Sequence, residues 1–432
     1  MSQGHKFKVI IAGGGVIGLT LANALEKAGI DYVLLEKRTI APDLGASIGI
    51  LCHNSMVYEQ LGMFDKLAAV TLPLLDRLHF NEHGYQFEDG GVLKGVRDKT
   101  NRPVRMIERR FLLQTLFDNL GDKTKVRSRV GAESFVERDD GVTVTADNGE
   151  KYEASILIGA DGANSAIRKL MAQAAAVSGE DAKARDLMSP FAASYRAVYA
   201  ISKNINSDTG APFMANGAIH TLYDQGVSGA TATGVDGLIF WFLFVKNVVV
   251  THVPNCPSYS EKDVEATIEE FGHLEHGRGY SIRDLWNSKI KATMFPMEEG
   301  MVKGSWNNGG RVVLVGDSVS KATINAGLGG NAHVEAVCHL ANAMVELLAC
   351  SSMPSTEEIT EMFQRYENQQ RQRAQLTVTI SGFLTRYEAM ETWWARLLTH
   401  VMRLLPESVL STLLVKHLAA GPLMNFLPAP DP

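Results

Sequence analysis

The run Gly13-Gly14-Gly15-Val16-Ile17-Gly18 has the glycine spacing that lets a backbone close around a pyrophosphate. Gly13 permits a tight turn, Gly15 leaves room for a phosphate to approach the main chain, and Gly18 lets helix and strand pack closely. A helix opening here turns its free N–H groups and the positive end of its dipole toward that phosphate. Glu36 follows at the end of the next apolar run, where its carboxylate can accept hydrogen bonds from ribose hydroxyls and its charge opposes an NADP phosphate. The chemistry expected is dinucleotide binding, with NAD and FAD both open on these residues alone. Two more acids stand in similar places. Gly159-Ala160-Asp161-Gly162 follows Ile156-Leu157-Ile158, and Gly316-Asp317 follows Arg311-Val312-Val313-Leu314-Val315. Each puts an Asp at the end of a strand, where open α/β sheets bind ligands, although either alone also reads as a turn.

The elements needed to position these residues are legible. Val9-Ile10-Ile11 is a continuous apolar run typical of a buried parallel strand, Leu19, Leu21, Ala22 and Leu25 recur at helical spacing, and Tyr32-Val33-Leu34-Leu35 makes a second strand. Together they form a βαβ unit of about 30 residues. Leu112, Leu116 and Leu120 predict an amphipathic helix over 108–120. Strands are expected over 126–158, with hairpin turns at Asp139-Asp140-Gly141 and Asp147-Asn148-Gly149. The Ala-rich stretch from Met171 to Ser189 is expected to be a boundary or an exposed excursion. Residues 191–252 are β-rich, with Leu238 to Val245 as a buried strand, 261–271 is helical, and the chain from Gly330 onward is predominantly helical.

The 432 residues, with 45% hydrophobic and 21% charged content, describe a folded globular protein large enough for two or three domains. A net charge of −6 gives no basic field, so no nucleic-acid partner is expected. Cys52, Cys256, Cys338 and Cys350 show no ligand spacing, so neither a metal site nor a disulfide framework is expected. There is no secretion signal and no apolar run of the ~20 residues that cross a bilayer, so an intracellular location is expected, cytoplasmic or peripheral to a membrane. Near the end, Trp393, Trp394, Leu397, Leu398, Val401, Leu404 and Leu405 recur at helical spacing, with Arg396, Arg403 and Lys416 outnumbering Glu407. Such a stripe suits either packing on the protein's own core or peripheral contact with a membrane interface.

Taken together, the Gly159 to Gly162 segment with Ser165 and Arg168, and Gly316-Asp317 followed by Gly327-Leu328-Gly329-Gly330-Asn331, resemble the class A flavoprotein monooxygenases. Glu36-Lys37-Arg38, Gly45-Ala46-Ser47-Ile48-Gly49, Glu108 to Leu113 and Asn425-Phe426-Leu427-Pro428 are similar to the fungal members that epoxidise or hydroxylate indole diterpenes, other prenylated indoles, meroterpenoids and polyketides. The resemblance implies an α/β fold of the aromatic-hydroxylase type, with a Rossmann-like FAD-binding domain, a β-sheet substrate domain and C-terminal helices. The corresponding division is 1–75, 106–185 and 296–370 for the FAD-binding domain, 76–105 for an excursion into the substrate domain, 186–295 for the β-rich substrate domain and 371–432 for the helical end.

The resemblance further implies an enzyme in which NADPH reduces FAD, O2 forms a C4a-peroxyflavin, and one oxygen atom passes to a small lipophilic substrate. Glu36 would hold the FAD ribose, Gly49 and Arg109 would contact the flavin nucleotide, Asp317 the ribityl or pyrophosphate region, and Gly330 the flavin ring. Gly13, Gly15, Gly18 and Asp161 complete the expected cofactor set. Arg196 and Tyr223 are the candidate catalytic residues. The chain departs from the family at two positions: Ser320 stands where a His is common and Ile324 where a Pro is common. A second reading therefore keeps FAD but makes the protein a non-redox cyclase or isomerase, and a third makes it a nucleotide sensor.

Overall fold

The computed structural model describes residues 6–431 apart from 44, 46, 208, 403–405 and 419, so Ala46, Arg403, Leu404 and Leu405 lie outside the described residues. The apolar runs predicted as strands assemble into one five-stranded parallel sheet in the order Val312–Leu314, Ile156–Gly159, Lys8–Ala12, Asp31–Glu36 and Val126–Ser128. Burial on both faces explains why the first four read as continuous rather than alternating hydrophobics, whereas the edge strand Val126–Ser128 is largely exposed. Because the strands are parallel, Gly13, Glu36, Asp161 and Asp317 all emerge at the same edge. The helix Val16–Lys27 follows the glycine turn, and the long helix Gly329–Cys350 packs against it.

A second layer is an eight-stranded sheet in the order Ser320–Lys321, Lys289–Met301, Phe191–Lys203, Leu238–His252, Val227–Ala232, Ala218–Asp224, Asp76–Asn81 and Gln86–Gly90. Its strands alternate. Tyr195 and Ala197 join Phe242, Phe244 and Met297 on one face, while Val198 and Ala200 join Trp241, Leu243, Val264 and Ile268 on the other. The helix Glu261–Phe271 therefore covers the second face. The 33-residue helix Thr356–Glu388 starts at a capping box, Ser355 with Glu358, and lies along the helix Gly329–Cys350.

One expectation gains detail and two need adjustment. The Ala-rich stretch does precede the second sheet and is mostly exposed, and it is helical, lying in Ala166–Val177 and Asp181–Met188, which bury only Met171, Ala172, Ala175 and Leu187 of it. Alanine's helix propensity outweighs the lack of an obvious apolar stripe. Within 76–105, only Asp76 to Gly90 joins the second sheet, because Val104–Glu108 pairs with Ser47–Ile50 near the first. A boundary at residue 295 would cut the strand Lys289–Met301. Both expected hairpin turns are present, between Ala132–Arg138 and Gly141–Ala146 and between Gly141–Ala146 and Lys151–Ala154.

Two histidines are buried against the second sheet, both stacked on Tyr280 of its apolar cluster. His220 Nδ1 lies 2.7 Å from the Tyr280 hydroxyl, and His276 is fully buried with neither ring nitrogen hydrogen-bonded to protein. Burial pushes His220 down to about 4 and His276 down to about 3. An unfolded chain titrates its histidines near pH 6.5, so on acidification it takes up protons that the folded chain refuses. Stability should therefore fall below about pH 6.5, reaching a loss of about 2 kcal/mol per histidine at pH 5. Urea titrations at pH 7.5 and pH 5 measure it, and His220→Asn/His276→Asn should flatten the dependence.

Candidate active site

Between the edge of the parallel sheet and the second sheet lies a cavity of 710 Å³. At one end Gly13 to Gly15 and Glu36 to Thr39 line it; at the other are Tyr199, Phe295, Ile324 and the segment from Pro254 to Tyr259. The glycine turn is built as its spacing requires. Gly13 has φ +111°, and a Cβ there would lie 2.4 Å from the Ala160 carbonyl oxygen; one on Gly18 would lie 1.9 Å from that of Gly13. A Cβ on Gly15, by contrast, would meet nothing within 4 Å, so the backbone that caps the helix Val16–Lys27 is bare toward the cavity. Glu36 accepts from the Gly14 N–H at 2.6 Å and the Arg38 N–H at 2.7 Å, which fixes the carboxylate beside that turn.

Arg109 opens the helix Arg109–Asp118 and lines the cavity, and its guanidinium makes no hydrogen bond or ion pair among the described residues. Burial lowers its pKa, while Asp317 and Glu36 act in the opposite direction. Its neighbour Arg110 is exposed and lies 3.8 Å from Asp43. Asp161 also lines the cavity, but it commits Oδ2 to the N–H groups of Ala166 and Ile167 at the start of the next helix, at 2.7 and 3.1 Å. Its Oδ1 and the Ser47 hydroxyl are buried without a hydrogen-bond partner.

Asp317 lies in the turn after the strand Val312–Leu314, with Lys321 Nζ on Oδ2 and His333 Nδ1 3.0 Å from Oδ1. Burial alone would raise its pKa, but the Lys321 ammonium and the His333 imidazole outweigh it and hold the carboxyl well below the usual carboxylate range. Burial likewise opposes the Lys321 charge, yet Asp317 and Glu298 push that group up to about 12. The Glu298 carboxyl, also on the cavity wall, is shifted upward by burial.

Not every expected residue reaches this cavity. Gly49 and Gly330 approach each other, with the Gly49 carbonyl accepting from Asn331 and a Cβ on Gly330 falling 3.1 Å from Ile48, but neither is a lining residue. Arg196 lies outside the lining and reaches Asn247 at 3.5 Å, whereas Tyr199, three residues on, lines the cavity and meets Phe242 and Phe295 edge to face. Tyr223 is core: its hydroxyl lies 3.0 Å from His79 Nδ1 and its ring packs against Phe87 and Tyr387. Strand alternation around Arg196 could have singled out Tyr199, and the four-residue spacing from Asp317 could have singled out Lys321. His333 carried no local signal, because its role comes from the docking of a helix.

A parallel sheet whose glycine turn and Asp161 open onto a cavity walled by a second, mixed sheet, with Asp317 joined to the lining through Lys321, defines a nucleotide-dependent flavoprotein of the aromatic-hydroxylase type. A family model described as an FAD binding domain matches residues 6–199. The FAD-dependent monooxygenase cdmI of Talaromyces verruculosus is 32% identical over 438 residues, covering 100% of this chain and 89% of the relative; adrH of Penicillium rubens is 30% identical, over 99% and 88%. Among solved structures, Klebsiella pneumoniae HpxO complexed with FAD and uric acid superimposes with a TM-score of 0.75 at 18% identity, over 97% of this chain and 98% of that one. The chain belongs to the FAD-dependent monooxygenases, and its relatives are those of fungal secondary metabolism. It is an FAD-binding oxidoreductase.

Arg168 holds the two aspartate segments together. Fully buried, it donates to the carbonyls of Leu187 at 2.9 Å, Ser318 at 2.9 Å and Ala163 at 2.5 Å, and it stacks over Phe191. Burial lowers its pKa to about 10, well above neutrality, so it stays charged. Arg168→Met should destabilise the fold by about 3 kcal/mol or more, since three carbonyls lose a charged donor. Chemical denaturation measures that loss, and FAD content per purified chain should fall with it.

Proposed function

We propose that the protein uses NADPH and O2 to insert one oxygen atom into a small lipophilic secondary metabolite of the prenylated-indole, meroterpenoid or polyketide type, by epoxidation or hydroxylation. The observation that carries this reading is the cavity itself, which joins a bare glycine turn at one end to a wall of Tyr199, Phe295, Met297 and Ile324 at the other. The Arg109 guanidinium and the Ser47 hydroxyl, without partners among the described residues, and the open Gly15 backbone fit a large polar cofactor lying along it. FAD, when bound, supplies the two-electron chemistry with dioxygen. The chain's own residues would bind and orient it: Glu36 accepts from the ribose hydroxyls, Gly13, Gly15 and Gly18 admit the pyrophosphate to the helix N-terminus, and Arg109 donates to the nucleotide. Asp161 secures the turn facing the cofactor, Asp317 accepts from the ribityl or pyrophosphate region, and Gly49 and Gly330 shape the flavin end from behind the lining. Tyr199, Phe295 and Ile324 would exclude water from the reacting end.

Under labelled dioxygen with NADPH and a substrate of this class, the product should carry one labelled oxygen atom. A product without label, formed equally without NADPH, would replace this reading with the cyclase or isomerase one. Glu36→Ala should weaken FAD retention by about 1.5 to 3 kcal/mol, the worth of a charge-assisted hydrogen bond, read by chromatography of heat-released cofactor.

The lipophilic substrate is matched by an apolar surface. The helix Trp393–Met402 buries Ala395 but leaves Trp393 76% and Leu397 57% exposed, with Val401 on the same stripe, and Trp394 stacks on the half-exposed Phe383. The Lys246–Glu391 ion pair ties this end to a strand carrying the exposed Val248, Val249 and Val250. No helix among the described residues is long and apolar enough to cross a membrane. These features support peripheral contact with a bilayer. In liposome flotation the full chain should rise with the vesicles and Trp393→Ala/Trp394→Ala should not; equal, negligible flotation by both removes the membrane reading.

A further inference from the structure

Position 320 lacks the histidine common in the family, yet an imidazole occupies the adjoining space. His333, in the first turns of the helix Gly329–Cys350, is buried with Nε2 3.1 Å from Ser320 Oγ and Nδ1 3.0 Å from Asp317 Oδ1. Nε2 hydrogen-bonds the serine hydroxyl, and Nδ1 stands at ion-pair distance from the carboxylate without the alignment of a hydrogen bond. Asp317 Oδ2 is taken by Lys321, whose flexible stem fixes charge but not direction. The planar ring, held by a packed helix, fixes direction.

From this geometry we propose that His333 is the positioning residue for Asp317, with Ser320 as its hydrogen-bond partner, and that together they set the carboxylate for the FAD chain. The inference rests on Asp317 facing FAD. The main chain of the same turn is anchored separately, by Arg168 on the Ser318 carbonyl and by Ser318 Oγ donating to the Gly159 carbonyl at 2.7 Å. His333 therefore acts on the side chain of Asp317 rather than on the path of the turn. Because the Ser320 side chain ends against the ring, a histidine at 320 would claim the volume that His333 fills. One imidazole fits there, from either element.

That exclusivity gives the test. FAD affinity is titrated by flavin fluorescence on full-length apoprotein, the midpoint potential of the bound flavin is measured by dye equilibration, and thermal unfolding is recorded in parallel. His333→Ala should weaken FAD binding by about tenfold, the effect of losing a close polar contact to a charged group, and should shift the flavin potential. Ser320→His/His333→Ala should recover affinity to within about threefold and restore the potential, since the ring returns from the other side. His333→Leu, which keeps most of the volume and has no polar atom, carries the measurement if the alanine variant does not fold. Unchanged affinity and potential in His333→Ala or His333→Leu would overturn the proposal. So would a folded Ser320→His/His333→Ala that binds no better than His333→Ala. If the wild type itself takes up no FAD, the assignment of the cavity fails, which is a different result from a wild type that binds FAD while the variants bind equally well.

Discussion

A guanidinium with no exposed surface holds the two aspartate turns in one frame. Arg168 donates to carbonyls from the Asp161 loop, the Asp317 turn and the end of the helix Asp181–Met188, joining beyond the sheet two turns whose strands are neighbours within it. Carbonyls at the end of a parallel sheet need donors, and a planar cation with five N–H groups can supply several without closing the cavity. The desolvation it suffers is offset only while all the acceptors remain in place, which makes the arrangement all-or-none. The glycine turn is fixed independently by close backbone approach at Gly13 and Gly18. Two mechanisms of opposite kind, steric and electrostatic, thus set the cofactor edge.

Charge is arranged along the cavity in the same economical way. Glu36 is held locally by backbone N–H groups, Asp317 by the Lys321 ammonium with His333 beside it, and Arg109, among the described residues, by nothing closer than the field of both acids. A partly buried cation with no direct partner among the described residues gains when an anionic ligand arrives. The aromatic wall at the far end has no such demand. Tyr199, Phe242 and Phe295 satisfy one another edge to face, so that end can accept an apolar guest without leaving polar groups stranded.

Features governed by local rules were readable from the residues. The four buried strands of the parallel sheet, the glycine turn and Glu36 depend on contiguous sequence, and their placement on that sheet follows from handed βαβ connections. Arg109 could be preferred over Arg110 only with the helix in place. Arg196 and Tyr223 show the limit: in a strand, facing is decided by a register that a one-residue shift inverts, and here Tyr199 rather than Arg196 meets the cavity while Tyr223 packs beneath Tyr387. The serine at 320 looked like a missing imidazole because sequence shows a position, not the volume around it. Position 333 supplies the ring from a helix that arrives later in the chain.

The short strand Ser320–Lys321 pairs with Gly300 and Met301, so the turn bearing Asp317 runs directly into the edge of the eight-stranded sheet. The cofactor turn and the substrate wall are therefore one hydrogen-bonded fabric rather than neighbouring modules. Anyone recombining such enzymes to change what they oxidise would find no clean seam near residue 295. A transplanted wall that ends there leaves behind its own edge strand and inherits a lysine and an aspartate aligned to another register. Exchanges that carry the chain from the start of Lys289–Met301 through Lys321 keep that alignment, and the diversity of pockets on this scaffold would have to arise by side-chain replacement within the sheet or by moving the strand and turn together.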